Sequence, residues 1–206
     1  MKTIWSILFA VLLLNSACFS QDDNEAERNF TRGWRNFGTQ TYKLSLEYWN
    51  KSIEADNDMA KAFYMRGIAK WKLEDTEGAI KDFSAFIEKD TNNIEAYFLR
   101  GVIYFQLNEY QNAIDDWTKI IEMKPDYVRA YYNRAIAKFQ LKQTKESILD
   151  FDKAIALKED YGDAYYKRGV ALYTAKKKKA ACKDWKKANE LGVENSGSLI
   201  SEYCAK

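Results

Sequence analysis

Arginine and aspartate are the residue types in this chain that combine reactive chemistry with regular spacing. Arg32, Arg66, Arg100, Arg134 and Arg168 recur at one constant interval, and Asp82, Asp116, Asp150 and Asp184 recur at the same interval. Matching columns of this kind can do one of two things. They can form an internal ladder, in which each arginine stem lies on neighbouring rings while its head holds an aspartate of the same or the adjacent unit. Alternatively, the arginines can form a basic track for an anionic ligand. The two columns rise and fall together, with Tyr48 in the acid's place only in the first unit, and this favours the ladder.

Other chemistry is thinly supplied. The absence of histidine removes the commonest general base and the commonest transition-metal ligand. Cys182 and Cys204 stand well apart in the chain without any CxxC-like spacing, so Cys182 reads as structural rather than nucleophilic. Adjacent carboxylates such as Asp115–Asp116 and Asp22–Asp23 point in different directions on a helix and cannot share one substrate. The glycines fall at packing or cap positions rather than in a phosphate-cradling loop. The expectation is a protein without catalysis, metal or cofactor. With 32 basic against 30 acidic residues, scattered through every segment, no footprint for nucleic acid is present.

The elements that carry these columns follow from the period. With 9 glycines and a single proline the chain lacks the breakers that strand-rich folds need. Large aromatics recur as Trp49, Phe83, Trp117, Phe151 and Trp185, each following the last at the interval of the arginines. Small residues recur in register as Gly33, Gly67, Gly101, Ala135 and Gly169, and again as Ser45, Ala79, Ala113, Ser147 and Ala181. These columns define units 26–59 (the most irregular), 60–93, 94–127, 128–161 and 162–195. In the third unit, Ala96, Tyr97, Gly101, Tyr104 and Leu107 fall at helical spacing, and Ala113, Ile114, Trp117, Ile120 and Ile121 repeat the pattern after a break at Asn108–Glu109. Each unit is therefore expected to be two amphipathic helices joined by a tight turn. Gly101 and Ala113 let the pair approach and leave a hole for the Trp117 ring.

The run Ala96-Tyr97-Phe98-Leu99-Arg100-Gly101, followed by Ala113-Ile114-Asp115-Asp116-Trp117 and Pro125, resembles the tetratricopeptide repeat. The resemblance implies an all-α fold, an α-α superhelix of five hairpins. The chain's own residues add a C-terminal capping helix over 196–206, since Leu199, Ile200 and Tyr203 make an apolar face after the helix stop at Leu191-Gly192. The family resemblance also implies that the first helices line a concave groove that takes up extended peptides or partner helices. Carried onto this chain, the groove columns are Glu27, Lys61, Glu95, Arg129 and Asp163; Phe30, Tyr64, Phe98, Tyr132 and Tyr166; and Trp34, Ile68, Val102, Ile136 and Val170. A further column, Phe37, Trp71, Phe105, Phe139 and Tyr173, continues the aromatic stripe towards the turn. Some of these rings pack between units, and roughly half are expected to stay accessible. The lysine and asparagine pattern with which some family members clamp a chaperone's carboxylates is not reproduced, because Lys61, Arg129 and Asn133 lack matching partners in neighbouring units.

The N-terminus predicts export. Lys2 is followed by an apolar stretch of about 11 residues ending at Leu14, then by small and polar residues, which is too short for a membrane-spanning helix. Two maturations are open. Cleavage after Ser20 leaves a short acidic tether, 21–25, whereas Asn15-Ser16-Ala17-Cys18 resembles a degenerate lipobox that would make Cys18 a lipidated first residue. Either route leaves Cys182 and Cys204 as a pairable couple in an oxidising compartment, with two buried thiols as the alternative. Lys176 to Lys179 with Lys183, Lys186 and Lys187 form a basic knob that is either a solvated tip or a contact for anionic lipid or an acidic partner. The functional expectation is a bacterial periplasmic or outer-membrane-associated adaptor that binds another protein's peptide or helix. The alternative is a structural component that assembles with itself or with an envelope complex.

Overall fold

The computed structural model describes residues 25–204. The predicted signal segment 1–20 with Cys18, the tether apart from Glu25, and the last two residues of the predicted cap lie outside the described residues. All regular structure among the described residues is helical: α1 (25–38), α2 (Tyr42–Ala55), α3 (Ala60–Lys72), α4 (Thr76–Lys89), α5 (Ile94–Gln106), α6 (Tyr110–Met123), α7 (Val128–Gln140), α8 (Thr144–Leu157), α9 (Gly162–Thr174), α10 (Lys178–Glu190) and α11 (Ser196–Tyr203). Helices α1 to α10 form successive hairpins in pairs, and α11 follows the last pair. The described residues divide into two compact units, one ending at Ala96 and one beginning at Tyr97. No helix among the described residues is long and apolar enough to cross a membrane.

The turn inside every hairpin is the same backbone device. Gln40, Glu74, Asn108, Lys142 and Lys176 adopt φ between 60° and 65°, and these positions too keep the common interval of the repeat. In the third hairpin the Asn108 N–H donates to the Phe105 carbonyl at 3.0 Å and the Glu109 N–H to the Tyr104 carbonyl at 2.9 Å; the other four turns repeat the pair. These bonds use the carbonyls left free at the end of the first helix and aim the chain straight into the second.

Each hairpin then closes on its large aromatic. Trp49, Phe83, Trp117, Phe151 and Trp185 are at most 2% exposed, and burying a side chain of this kind contributes about 1.5–3 kcal/mol. The facing small residue is matched to the ring. A Cβ added to Gly101 would lie 2.8 Å from Trp117 Nε1, one added to Gly169 would lie 2.5 Å from Trp185 Nε1, and one added to Gly33 would also collide with its indole, Trp49. Phenylalanine leaves more room. A Cβ at Gly67 would sit 3.3 Å from Asp82 Cβ and 3.4 Å from the Phe83 ring, and in the fourth hairpin an alanine, Ala135, packs in one cluster with Phe151. The second small column, Ser45, Ala79, Ala113, Ser147 and Ala181, is fully buried.

Helix α11 covers the end of the last hairpin. Leu199, Ile200, Tyr203 and Cys204 pack on the Leu172, Ala181 and Trp185 cluster. The Tyr203 ring lies 4.7 Å from Tyr173 and 6.0 Å from Trp185, centroid to centroid. Cys182 and Cys204 are paired here as a disulfide, with Cα atoms 5.7 Å apart.

Candidate functional site

The arginine and aspartate columns meet within hairpins. Arg66 Nη2 lies 2.7 Å from Asp82 Oδ1, and Arg100 with Asp116 and Arg134 with Asp150 repeat that distance. Arg168 Nε lies 2.7 Å from Asp184 Oδ2. In all four, Nε and Nη2 engage the two carboxylate oxygens as a fork. The third nitrogen reaches back to the preceding hairpin: Arg66 Nη1 donates to Asn50 Oδ1 at 2.8 Å, Arg134 Nη1 to Thr118 Oγ1 at 3.0 Å and Arg168 Nη1 to Asp152 Oδ1 at 2.7 Å. Each guanidinium also lies near a ring three positions earlier, from 5.3 Å at Tyr165 to 5.7 Å at Tyr131, with Phe63 and Tyr97 between. Those rings form a column of their own, Phe63, Tyr97, Tyr131 and Tyr165, which the sequence reading missed although it recurs at the same interval as the others. Arg32 differs: it is exposed, and its guanidinium sits 5.9 Å from the Tyr48 ring that replaces the acid.

The rungs are not identical. Lys70 adds a second cation to Asp82 at 2.9 Å, and Lys138 adds one to Asp150 at 2.7 Å. In the third hairpin the same register position is Tyr104, and burial pushes the Asp116 carboxyl up against the opposing pull of Arg100. The arrangement neutralises charge inside the array and leaves these arginines engaged rather than free to form a track.

The predicted groove positions separate into engaged and open ones. Up to Ala96, Lys61 pairs with Glu27 at 2.6 Å and places its ammonium 4.6 Å from the Phe30 ring centroid, so these three residues hold one another. Tyr64 is half-buried, its ring 5.0 Å from Phe86 and 5.8 Å from Phe83, and burial followed by the charge of Glu95 pushes its phenol up. Ile68 is partly buried in the Trp49 cluster, whereas Trp34 is 56% exposed.

After Ala96 one expectation is corrected. Phe98, read as a groove ring, is only 3% exposed, because the Arg129 guanidinium lies 4.1 Å from its centroid and the Tyr127 ring 6.0 Å away. At that place the surface presents a guanidinium and not an aromatic face. Val102 is half-buried. Tyr132 is wedged against Tyr161 at 4.9 Å and Phe151 at 5.9 Å, and burial pushes its phenol up, with Tyr161 and Asp163 adding to the effect. Phe37, Phe105 and Tyr173 pack with one face, their rings 5.7 to 6.1 Å from their own hairpin's tryptophan, while Phe37 and Phe105 stay half-buried and Tyr173 exposed.

An open feature remains between the first helices of the fourth and fifth hairpins. A cavity of about 250 Å³ is lined by Ile136, Phe139 and Gln140 of α7, Tyr166, Lys167 and Val170 of α9, and Phe151 of α8 at its floor. Ile136, Tyr166 and Val170 are predicted groove residues that the fold brings to one pocket. Such a pocket accepts an apolar side chain of a ligand and offers Gln140 and Lys167 as polar contacts. Among the described residues no group of three or more cysteine, aspartate or glutamate side chains could hold a metal ion.

Comparison with known proteins agrees with this architecture. The tetratricopeptide repeat model matches residues 94–127, and a second TPR repeat model matches residues 136–175. No curated protein matches the chain by sequence. Solved structures similar to it include MamA, 24% identical over 80% of this chain and 96% of that one, with a TM-score of 0.74. Another is MamA from Desulfovibrio magneticus RS-1, 20% identical over 84% of this chain and 96% of that one, TM-score 0.75. A third is YrrB, a TPR protein with an unusual peptide-binding site, 16% identical over 91% of this chain and 96% of that one, TM-score 0.78.

Proposed function

Because the chain is a tetratricopeptide-repeat protein, and so built as a protein-interaction scaffold, we propose that it is an exported adaptor that holds a peptide or helix of another bacterial envelope protein on its first-helix face. The observation that carries this is the α7–α9 cavity, where Ile136, Tyr166 and Val170 leave an apolar socket beside Lys167. YrrB, similar in fold, has a peptide-binding site. Export rests on the apolar N-terminal segment, with soluble and Cys18-lipidated maturation as its two forms. An oxidising compartment also suits the Cys182–Cys204 pair.

The test is to select binding peptides from a displayed library on the full chain and to repeat the measurement with Ile136→Trp, which fills the cavity. Selected peptides should carry an apolar anchor, and the variant should lose about tenfold or more in affinity, as expected for one lost anchor of roughly 1.4 kcal/mol. Unchanged affinity in Ile136→Trp, with an unchanged melting temperature, would remove the cavity from the function. A second reading, self-assembly through edges, has its own support in Leu149, which is 66% exposed, and in Trp34. Light scattering at high concentration separates the two, since a monomer argues against self-assembly.

A further inference from the structure

Lys176, Lys177, Lys178, Lys179, Lys183 and Lys186 crowd the last hairpin's turn and α10, and every one is exposed. Among the described residues none of the six has an acidic partner, whereas the neighbouring Lys187 lies 3.7 Å from Glu190. The whole chain carries 32 basic and 30 acidic residues, so with these six set aside the remainder is net negative. The protein's excess positive charge is therefore concentrated at one tip.

The choice of residue narrows the partner. Where this chain holds a single carboxylate in a fixed fork it uses arginine, at Arg66, Arg100, Arg134 and Arg168. The tip contains no arginine. Lysine is a mobile point charge on a flexible stem, suited to many shifting anions rather than one planar carboxylate. Its position supplies a second feature. A cavity of about 580 Å³ is rimmed by Lys178, Lys179, Lys183 and Lys186 and has Cys182 and Cys204 in its wall. Lysine stems and paired sulfurs give it an apolar floor under an ammonium rim. That combination fits an amphiphilic anion, with phosphate at the rim and the start of an acyl-glycerol body below.

We infer that this lysine tip docks the protein on an anionic phospholipid bilayer, leaving the α7–α9 cavity to engage its peptide. The inference is tested by flotation of the full chain with phosphatidylcholine vesicles, with and without phosphatidylglycerol, at low and high salt. The neutral vesicles account for any binding by the apolar N-terminal segment. A preference for the anionic vesicles that salt abolishes is the expected result. The triple variant Lys178→Gln, Lys179→Gln, Lys183→Gln should lower the anionic partition on the order of 100-fold, about fivefold for each lysine. The pair Lys145→Gln, Lys153→Gln on α8 should leave most of it in place. Equal binding to both vesicle types, or an unchanged triple variant with native helix content, overturns the proposal. So does release from vesicles by polyglutamate at a far lower charge concentration than that of the lipid, which would identify an acidic polypeptide as the partner.

Discussion

The second and fifth hairpins solve one packing problem with different residue pairs. In α3–α4 a phenylalanine, Phe83, faces Gly67, and a Cβ there would be 3.3 Å from its nearest neighbour; in α9–α10 Trp185 faces Gly169, where the same Cβ would be 2.5 Å from the indole. The charged rungs differ in the opposite sense. Asp82 serves two cations, Arg66 and Lys70, while Arg168 serves two acids, Asp184 and Asp152. The repeat therefore keeps the hairpin geometry and the arginine–aspartate fork while the contacts around them vary, and each hairpin tolerates a different substitution.

The largest expected difference lies in the rungs. Asp82→Ala leaves Arg66 and Lys70, whose side chains are 17% and 20% exposed, facing each other without a carboxylate. A cost of about 3–5 kcal/mol is expected, the range for breaking a buried pair. Asp184→Ala should cost clearly less, because Arg168 keeps Asp152 at 2.7 Å. Urea unfolding of the two variants measures the gap, and equal costs would refute the assignment of Lys70 and Asp152 to the rungs.

Next in size is the cap, which the fifth hairpin has and the second lacks. Opening the Cys182–Cys204 bond, which closes a sequence separation of 22, should cost about 3 kcal/mol in the chain-entropy account. The loss should be local. Hydrogen exchange should accelerate in α10 and α11 on reduction while α3 and α4 keep their protection. Mass spectrometry that finds two free thiols in the non-reduced protein would dispose of the staple itself.

Smaller, and the sharpest test of how the two hairpins differ, is one substitution made twice. Gly169→Ala should cost about 1–3 kcal/mol through overpacking, since the Trp185 ring is held by Tyr173 at 5.7 Å and Tyr203 at 6.0 Å and has nowhere to shift. Gly67→Ala needs only a few tenths of an ångström from Asp82 and Phe83, and alanine's helix preference of about 0.8–1 kcal/mol should offset that. Combining Gly169→Ala with Trp185→Phe copies the Ala135–Phe151 solution of the fourth hairpin. It also removes an indole N–H that is buried without a hydrogen-bond partner among the described residues. The double variant should recover most of what the single one loses. Simple additivity in thermal unfolding would show that ring and glycine are not coupled.

These contrasts also show what the sequence could carry. Columns that keep a constant residue type from unit to unit were legible: the arginines from Arg66 to Arg168, the large aromatics and the small residues lie where their types predict, because a hole and its filler constrain each other's size, while Arg32 faces Tyr48 instead of an acid. The match of tryptophan to glycine and of phenylalanine to glycine or alanine was present in those columns but needs distances to become an argument. The groove was less legible. Whether a first-helix ring is open depends on a neighbour's long side chain: Arg129 closing over Phe98 repeats Lys61 over Phe30 two units earlier, whereas Glu95 and Asp163 hold that position in other units, so a column of mixed charge does not announce which rings it covers. The second cations Lys70 and Lys138 were hidden for a similar reason, since the same position is Tyr104 and Leu172 in other hairpins.

Least legible was the turn column, and there the two hairpins should cease to differ. Glu74 has φ 65° and Lys176 has φ 61°, a left-handed conformation with no residue type to announce it. Each is fixed from outside by the helix carbonyls: the Glu74 N–H donates to Trp71 and the Asp75 N–H to Lys70, just as the Lys176 N–H donates to Tyr173 and the Lys177 N–H to Leu172. A residue with a Cβ costs about 1–2 kcal/mol in this region relative to the right-handed one, and glycine removes that cost while loosening the unfolded chain. Glu74→Gly and Lys176→Gly should therefore each stabilise by roughly 0.5–1 kcal/mol, and by the same amount, because neither ring nor rung nor cap touches the strained bond. Melting temperatures measure this directly. An unequal pair of shifts would mean that side chains, and not only backbone geometry, set the energy of the turn.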